Sequence, residues 1–225
     1  MDNSQNTKLI QRSVGVQVYD QIWERIVNGE LKPGEKISDL RLSEDLGVSR
    51  TPVREALYLL TQDGIVKSVN NHGFYVATFS NKDVTEIYDI RTVLEVLALR
   101  LALPNLTNRE IELTQKAMDE VGQLMQTGDE TFSEKFLVVD RQFHQLLTLA
   151  AGNSRLATMM ASLRGQIGVF QVYGIHSRPL IKLSFEHHQA IISALKQRDM
   201  EQATQAMERH IQEVKAHVLE GFTNA

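Results

Sequence analysis

Gly47-Val48-Ser49-Arg50-Thr51-Pro52-Val53-Arg54-Glu55-Ala56-Leu57 reads as a tight turn followed by the opening of a helix. Gly47 supplies the left-handed or reversing backbone conformation that other side chains resist. Ser49 stands where a hydroxyl can cap a helix, and Pro52 falls in the first turn, where a missing N–H costs nothing. Val53, Ala56, Leu57 and Leu60 recur at helical spacing and make a core face. Arg50 and Arg54, four residues apart, share a different face. An exposed helical N-terminus offering Ser, Arg, Thr and Arg suits the major groove of DNA. Its hydroxyls and free N–H groups can hold phosphates, and an arginine can bond guanine O6 and N7 together. The same arginines also fit ordinary solvated charges paired with Asp45 or Glu55.

The flanking segments decide how that helix is framed. Upstream, Val18, Ile22 and Ile26 form a helical stripe within Val16 to Asn28, with Tyr19 and Trp23 on the adjoining face. Gly29 and Leu31-Lys32-Pro33-Gly34 end that helix and make a turn. Ser38 to Leu46 is a short helix capped by Ser38, with Leu42 and Leu46 as its buried edge. Downstream, Asp63-Gly64 closes the central helix. Two β-like runs follow, Ile65 to Val69 and Phe74 to Thr78, separated by Asn70-Asn71-His72-Gly73 as a hairpin turn. The order is helix, short helix, tight turn, helix, hairpin, which is a winged helix-turn-helix over residues 12–78. Residues 1–11 read as a disordered arm. Arg41 and Lys67 are placed to add phosphate contacts, and His72 and Gly73 sit at the wing tip, where a backbone can approach the minor groove.

After Ser80 the strand signals vanish. Six helical segments follow, at about 81–103, 107–126, 130–151, 153–173, 178–197 and 199–221. Ser80 with Asp83, and Thr107 with Glu110, have the spacing of capping boxes. Pro104, Gly128, Gly152 and Pro179 fall at or near the breaks. The fold class is therefore mostly α: a winged helix-turn-helix followed by an all-α six-helix bundle over residues 80–221.

Composition sets limits on both halves. The chain has 225 residues, 42% hydrophobic and 23% charged, which suits two packed domains. It has no cysteine, which excludes disulfides, thiolate catalysis and Cys-type zinc sites, so any metal must be held by His and carboxylate. Val96 to Leu103, one of the most apolar stretches, is interrupted by Arg100 and stopped by Pro104, too short and too charged to span a bilayer. The opening MDNSQNTKLIQRS lacks the apolar run of a secretory signal, so the expected address is the cytosol. Net charge is −4, with neither half basic. That weakens a nucleic-acid reading without excluding it, because only the docking face meets phosphate.

Within the helical half, polar groups fall on faces that should be buried. Phe136, Asp140, Phe143, His144 and Leu147 share one face of their helix. His188 lies with Ile191 and Leu195, and His210 between Met207 and Val214. Unpaired polar burial is costly, so these groups need partners. One aspartate and three histidines suit Zn²⁺, Ni²⁺ or Mn²⁺ and leave coordination positions open. They also suit hydrogen-bonded core histidines, and periodicity does not separate the two. Arg91 shares a stripe with Ile87, Leu94 and Ala98. Facing inward, it could anchor a carboxylate as a fork; it could equally pair with Glu95 or serve a dimer contact. Arg164 and Tyr173 are further candidates for effector contact.

LGVSRTPVREAL, followed by DGIVKSVNNHGFYVA, resembles the DNA-binding domain of the GntR superfamily of bacterial repressors over about residues 12–78. The resemblance implies DNA contact by Ser49, Arg50, Thr51 and Arg54 and by the wing glycine Gly73. The chain departs from the family pattern at Leu40, often an arginine there, with Arg41 one step along. It departs again at Val69-Asn70, where many members carry Arg-Pro, and at His72, often a basic residue. DRQFHQLL, HQAIISAL and AMERHI resemble the FCD ligand-binding domain of the FadR branch over about residues 80–221. That resemblance implies that Asp140, His144, His188 and His210 hold a divalent metal, Zn²⁺ first and Ni²⁺ or Mn²⁺ next. It further implies a small organic acid effector above the metal. The expected assembly is a homodimer on a palindromic double-stranded DNA operator, with no membrane partner. Two rival readings are a metal sensor, in which the ion is the signal, and a metal-dependent hydrolase. For the hydrolase no clearly partnered general base is in view, Glu186 being only a nearby candidate.

Overall fold

Val18, Ile22 and Ile26 are buried along one face of α1 (Val14–Val27), and Val53, Ala56, Leu57 and Leu60 meet them from α3 (Arg50–Gln62). The computed structural model describes residues 13–70, 72–172 and 178–223, without the side chains of 171, 172, 222 and 223. The arm expected over residues 1–11 and the effector candidate Tyr173 lie outside the described residues. The chain divides into two compact units, residues 1–78 and 79–225.

In the first unit, α2 (Asp39–Leu46) leads into α3 through Gly47, whose φ of 65° is left-handed. Ser38 caps α2, its Oγ accepting from Arg41 N at 3.2 Å. Ser49 occupies the N-cap position of α3, but its hydroxyl makes no capping hydrogen bond, contrary to the expected role. Leu42 is buried while Leu46 is only half-buried. The wing holds one strand more than the sequence suggests. Besides β2 (Val66–Val69) and β3 (Gly73–Val76), β1 (Lys36–Ile37) joins the sheet in the order β1-β3-β2, all antiparallel. Lys36 pairs with Tyr75 and Ile37 with Phe74. Two residues are too few to show an alternating pattern, so β1 is defined by its partner. Gly34 N–H donates to Val76 O at 3.0 Å, and Val76 N–H donates to Glu35 O at 2.9 Å.

The second unit comprises α4 (Asn81–Ala102), α5 (Asn108–Thr127), α6 (Phe132–Ala150), α7 (Ser154–Val172), α8 (Arg178–Lys196) and α9 (Met200–Thr223). Both capping boxes form. Ser80 N–H donates to Asp83 Oδ2 at 2.7 Å, and Thr107 N–H donates to Glu110 Oε2 at 2.8 Å, with the reciprocal bonds at 3.2 Å. α4 packs against α6, α7 and α9, and α8 packs against α5, α6 and α9. Tyr88, Leu99, Met118, Phe143, Leu147, Phe170 and Ile191 fill the space between them. Arg198, at φ 55° in the α8–α9 turn, donates to Leu103 O and Leu106 O at 2.8 Å and to Asn108 Oδ1 at 2.7 Å. It ties that turn to the one between α4 and α5. Among the described residues, no helix is long and apolar enough to cross a membrane.

A Cβ added to Gly47 would meet nothing within 4 Å, so the demand for glycine there is purely conformational. Gly47→Ala is therefore expected to lower stability by about 1–2 kcal/mol, the cost of a left-handed L-residue, with the fold retained. Urea unfolding checks this, and an unchanged midpoint would contradict it.

Candidate metal centre and nucleic-acid interface

Asp140 and His144 stand one turn apart on α6, and α8 and α9 bring His188 and His210 to them. One ligand atom from each of the four lies within 4.8 Å of all the others. His188 Nε2 is 3.4 Å from Asp140 Oδ1 and 3.3 Å from His144 Nε2, and His144 Nε2 is 3.7 Å from the same carboxylate oxygen. The three imidazoles are buried, while the Asp140 side chain keeps 22% exposure. Phe136 and Phe143 pack edge-on against the His188 ring, closing the apolar side of the cluster.

His188 Nδ1 lies 2.8 Å from Ser184 O, which accepts its proton and leaves the Nε2 lone pair facing the other ligands. Burial pushes the His188 imidazolium down to about 4, against the pull of Asp140. Burial also holds His210 well below its ordinary value, helped by His188, His144 and Arg91. Neutral imidazoles are the form that binds metal. Among the described residues, neither ring nitrogen of His210 has a hydrogen-bond partner, although the residue is only 2% exposed. A purely structural polar core would satisfy those atoms. An ion placed among the four would satisfy one of them, so the donor set fits a divalent metal.

Arg91 faces inward as its stripe indicates, and it also pairs with Glu95, its Nε 3.5 Å from Oε1. Of the readings left open by the sequence, the pair with Glu95 is the one formed here. Arg91 Nη2 reaches within 3.4 Å of His144 Nε2, and its guanidinium lies 5.5 Å from the centre of the Tyr88 ring. Glu95, 2% exposed, also lies 3.1 Å from His144 Nδ1, though off hydrogen-bond alignment. Burial raises the Glu95 carboxyl, but His144, Arg91 and Arg164 outweigh it and hold the group below its usual range. Arg164 is half-buried; burial lowers its pKa, Glu95 opposes that, and its Nε has no hydrogen-bond partner. Tyr88 Oη and Glu95 Oε2 are likewise buried and unpartnered. Sequence reasoning saw Glu95 only as a partner for Arg91; its approach to His144 required two helices to be placed together. It also missed His187, whose Nε2 sits 3.2 Å from Glu213 Oε2.

In the first unit, Ser49, Arg50, Thr51 and Arg54 are exposed together at the start of α3, with Pro52 half-buried beneath them. Arg50 and Arg54 both pair with Asp39, at 2.9 and 3.5 Å. This corrects the expected partners: Asp45 pairs instead with Arg25 at 3.2 Å. The reason is the tight Gly47 turn, which brings the first residue of α2 beside the opening of α3. Arg41 is exposed on α2, and Lys67 is exposed on β2 with its Nζ donating to Thr78 O at 3.3 Å. His72 and Gly73, the latter at φ 99°, are exposed at the β2–β3 turn.

Residues 86–213 match the FCD domain, and residues 15–76 match the family described as bacterial regulatory proteins, gntR family. The chain belongs to this GntR family and carries an FCD domain: it is a transcriptional regulator with a DNA-binding winged helix. It is 31% identical over 208 residues to the HTH-type transcriptional regulator YdhC of Bacillus subtilis, covering 91% of this chain and 92% of that one. The solved structure of Escherichia coli McbR/YncC superposes with a TM-score of 0.81 at 27% identity, covering 93% and 99%. The gluconate operon transcriptional repressor of Bacillus subtilis is 26% identical over 216 residues, covering 93% and 87%. These relatives are regulators of transcription, and the hydrolase reading falls away.

The unpartnered His210 nitrogens carry a measurable stability cost. With metal removed by chelation, His210→Leu is expected to be more stable than the equally treated wild type by about 1–2 kcal/mol. Urea titration of both proteins checks this, and a loss of stability would mean that His210 has a structural partner.

Proposed function

We propose that this chain is a metabolite-responsive repressor of the cytoplasm. Its helical unit holds a divalent ion through Asp140, His144, His188 and His210 and takes a small organic acid as effector. The observation that carries this reading is the convergence of four ligand atoms, with a buried His210 that no group among the described residues satisfies. Three nitrogens and one oxygen suit Zn²⁺ first, and Ni²⁺ or Mn²⁺ next. The ion supplies a Lewis-acidic position for a carboxylate. Arg91, on the ion-facing side of His144, is positioned to hold that carboxylate, and Arg164 offers an unsatisfied buried donor for a second acceptor group. Tyr173, the third effector candidate, rests on the sequence alone.

On the DNA side, Ser49, Arg50, Thr51, Pro52 and Arg54 form the surface that enters the major groove. Arg41 and Lys67 add phosphate contacts, and His72 and Gly73 approach the minor groove. Asp39 holds both recognition arginines, so guanine or phosphate must compete with one half-buried carboxylate for them. The name of the gluconate operon repressor supports repression as the sign.

The operating form is a homodimer on a palindromic operator. Ile90, Val93, Leu97 and Leu101 follow one another at helical spacing along α4, and all four are exposed, Val93 by 67%. Apolar surface of this extent on one helix face marks an association site. Antiparallel pairing with a second copy about Val93 would set Glu86 opposite Arg100, since each lies seven residues from it on the same face.

Four measurements test the reading. Duplexes selected from a random pool by the wild type should bind Arg50→Ala or Arg54→Ala at least tenfold more weakly, with helicity and metal content intact; equal binding would reject the DNA assignment. Elemental analysis should find one divalent ion per chain, depleted in His188→Ala, and a wild type that takes up no Zn²⁺, Ni²⁺ or Mn²⁺ would reject the ion site. Should the ion alone shift operator affinity with no acid present, the signal is the ion itself. Val93→Glu should sediment as a monomer and bind palindromic DNA more weakly; a persisting dimer would place the interface elsewhere.

A further inference from the structure

We infer that Glu95 is the positioning residue of the ion site, orienting His144 through Nδ1 and neutralising Arg91 so that a cation can lie beside a guanidinium. This rests on the proposed ion at Asp140, His144, His188 and His210. An imidazole presents a lone pair from one nitrogen only when its proton sits on the other. His144 Nε2 faces Asp140 Oδ1 and His188 Nε2, so its proton belongs on Nδ1. The group 3.1 Å from that nitrogen is Glu95 Oε1. Histidine χ2 is a soft torsion, so the inferred bond requires only that the ring turn to align Nδ1–H with the carboxylate. The device parallels His188, whose Nδ1 is held by Ser184 O, but it uses a charged acceptor, which makes the ligand more basic.

The charge balance demands the same residue. Arg91 Nη2 lies 3.4 Å from the very nitrogen that His144 offers to the ion. A bare guanidinium there would repel a dication through a low-dielectric interior. Glu95 Oε1 is 3.5 Å from Arg91 Nε and, at 2% exposure, is shielded from water and salt. One carboxylate oxygen therefore serves both neighbours. With Glu95 present, Arg91 can attract an acid effector without expelling the ion; without it, the two cations compete.

The test compares wild type, Glu95→Gln and Glu95→Asp by competition for Zn²⁺ against a chromophoric chelator. Glu95→Gln should weaken Zn²⁺ binding about 10- to 100-fold, and removing the guanidinium as well, in Arg91→Leu/Glu95→Gln, should recover part of the loss. Glu95→Asp keeps the charge but withdraws it, so an intermediate loss is expected; this variant carries the test if the amide does not fold. In metal-free, ¹⁵N-histidine-labelled protein, His144 should be protonated at Nδ1 in the wild type and lose that preference in the variants. A merely structural Arg91–Glu95 pair would change the melting temperature alone. Variants that bind Zn²⁺ as tightly as wild type, with the His144 tautomer unaltered, would overturn the inference. A wild type that binds no ion would instead overturn the reading on which it rests.

Discussion

Three imidazoles and a carboxylate meet where α6, α8 and α9 would most cheaply have buried hydrocarbon. Removing polar groups from water without giving them partners costs about 1–3 kcal/mol for each group. Ser184 satisfies the outer nitrogen of His188, and Glu95 approaches that of His144, but the inner nitrogens face one another and His210 has no hydrogen-bond partner among the described residues. The helical unit therefore carries a local deficit at its centre, balanced by a large apolar core that includes Phe143, Leu147, Ile191 and Met207. A ligand that fills the deficit binds the folded chain and not the unfolded one, and so couples occupancy to stability. Such coupling is what the proposed sensor role would require: occupancy between α6, α8 and α9 would bias their arrangement.

The buried charges around this centre form a chain of shared partners. Glu95 serves His144 and Arg91 with one oxygen, and Arg91 lies over Tyr88 and reaches toward the ligand nitrogen. A carboxylic acid entering here would join an existing network of charges and would not have to build one. Arg164 Nε, Tyr88 Oη and Glu95 Oε2 are buried around it without a hydrogen-bond partner among the described residues.

Helix α3, the proposed DNA-facing helix, obeys a different constraint. Its direction is set by the left-handed Gly47 and by the packing of Val53, Leu57 and Leu60 on α1, so its N-terminal turns stay exposed. Asp39 then gathers Arg50 and Arg54 over the same edge. The net negative charge of the chain is compatible with the proposed DNA contact, because only the few side chains on a docking face would meet phosphate.

Periodicity, caps and turn residues were enough to place the helices to within a few residues and to mark Asp140, His144, His188 and His210 as inward-facing polar groups. These are local properties, written in i, i+3 and i+4 spacing and in the torsions that Gly and Ser favour. Strand β1 escaped because a two-residue strand has no period and exists only through its bonds to β3. The pairing of Asp39 with both arginines, the approach of Glu95 to His144 and the orphaned nitrogens of His210 escaped for a related reason. Each depends on distances between helices far apart in the chain, and spacing along one helix says nothing about them. The amino-acid order by itself determined which side chains point inward and which helix stands exposed; tertiary packing alone decided which of them meet, because contact is a property of pairs of elements.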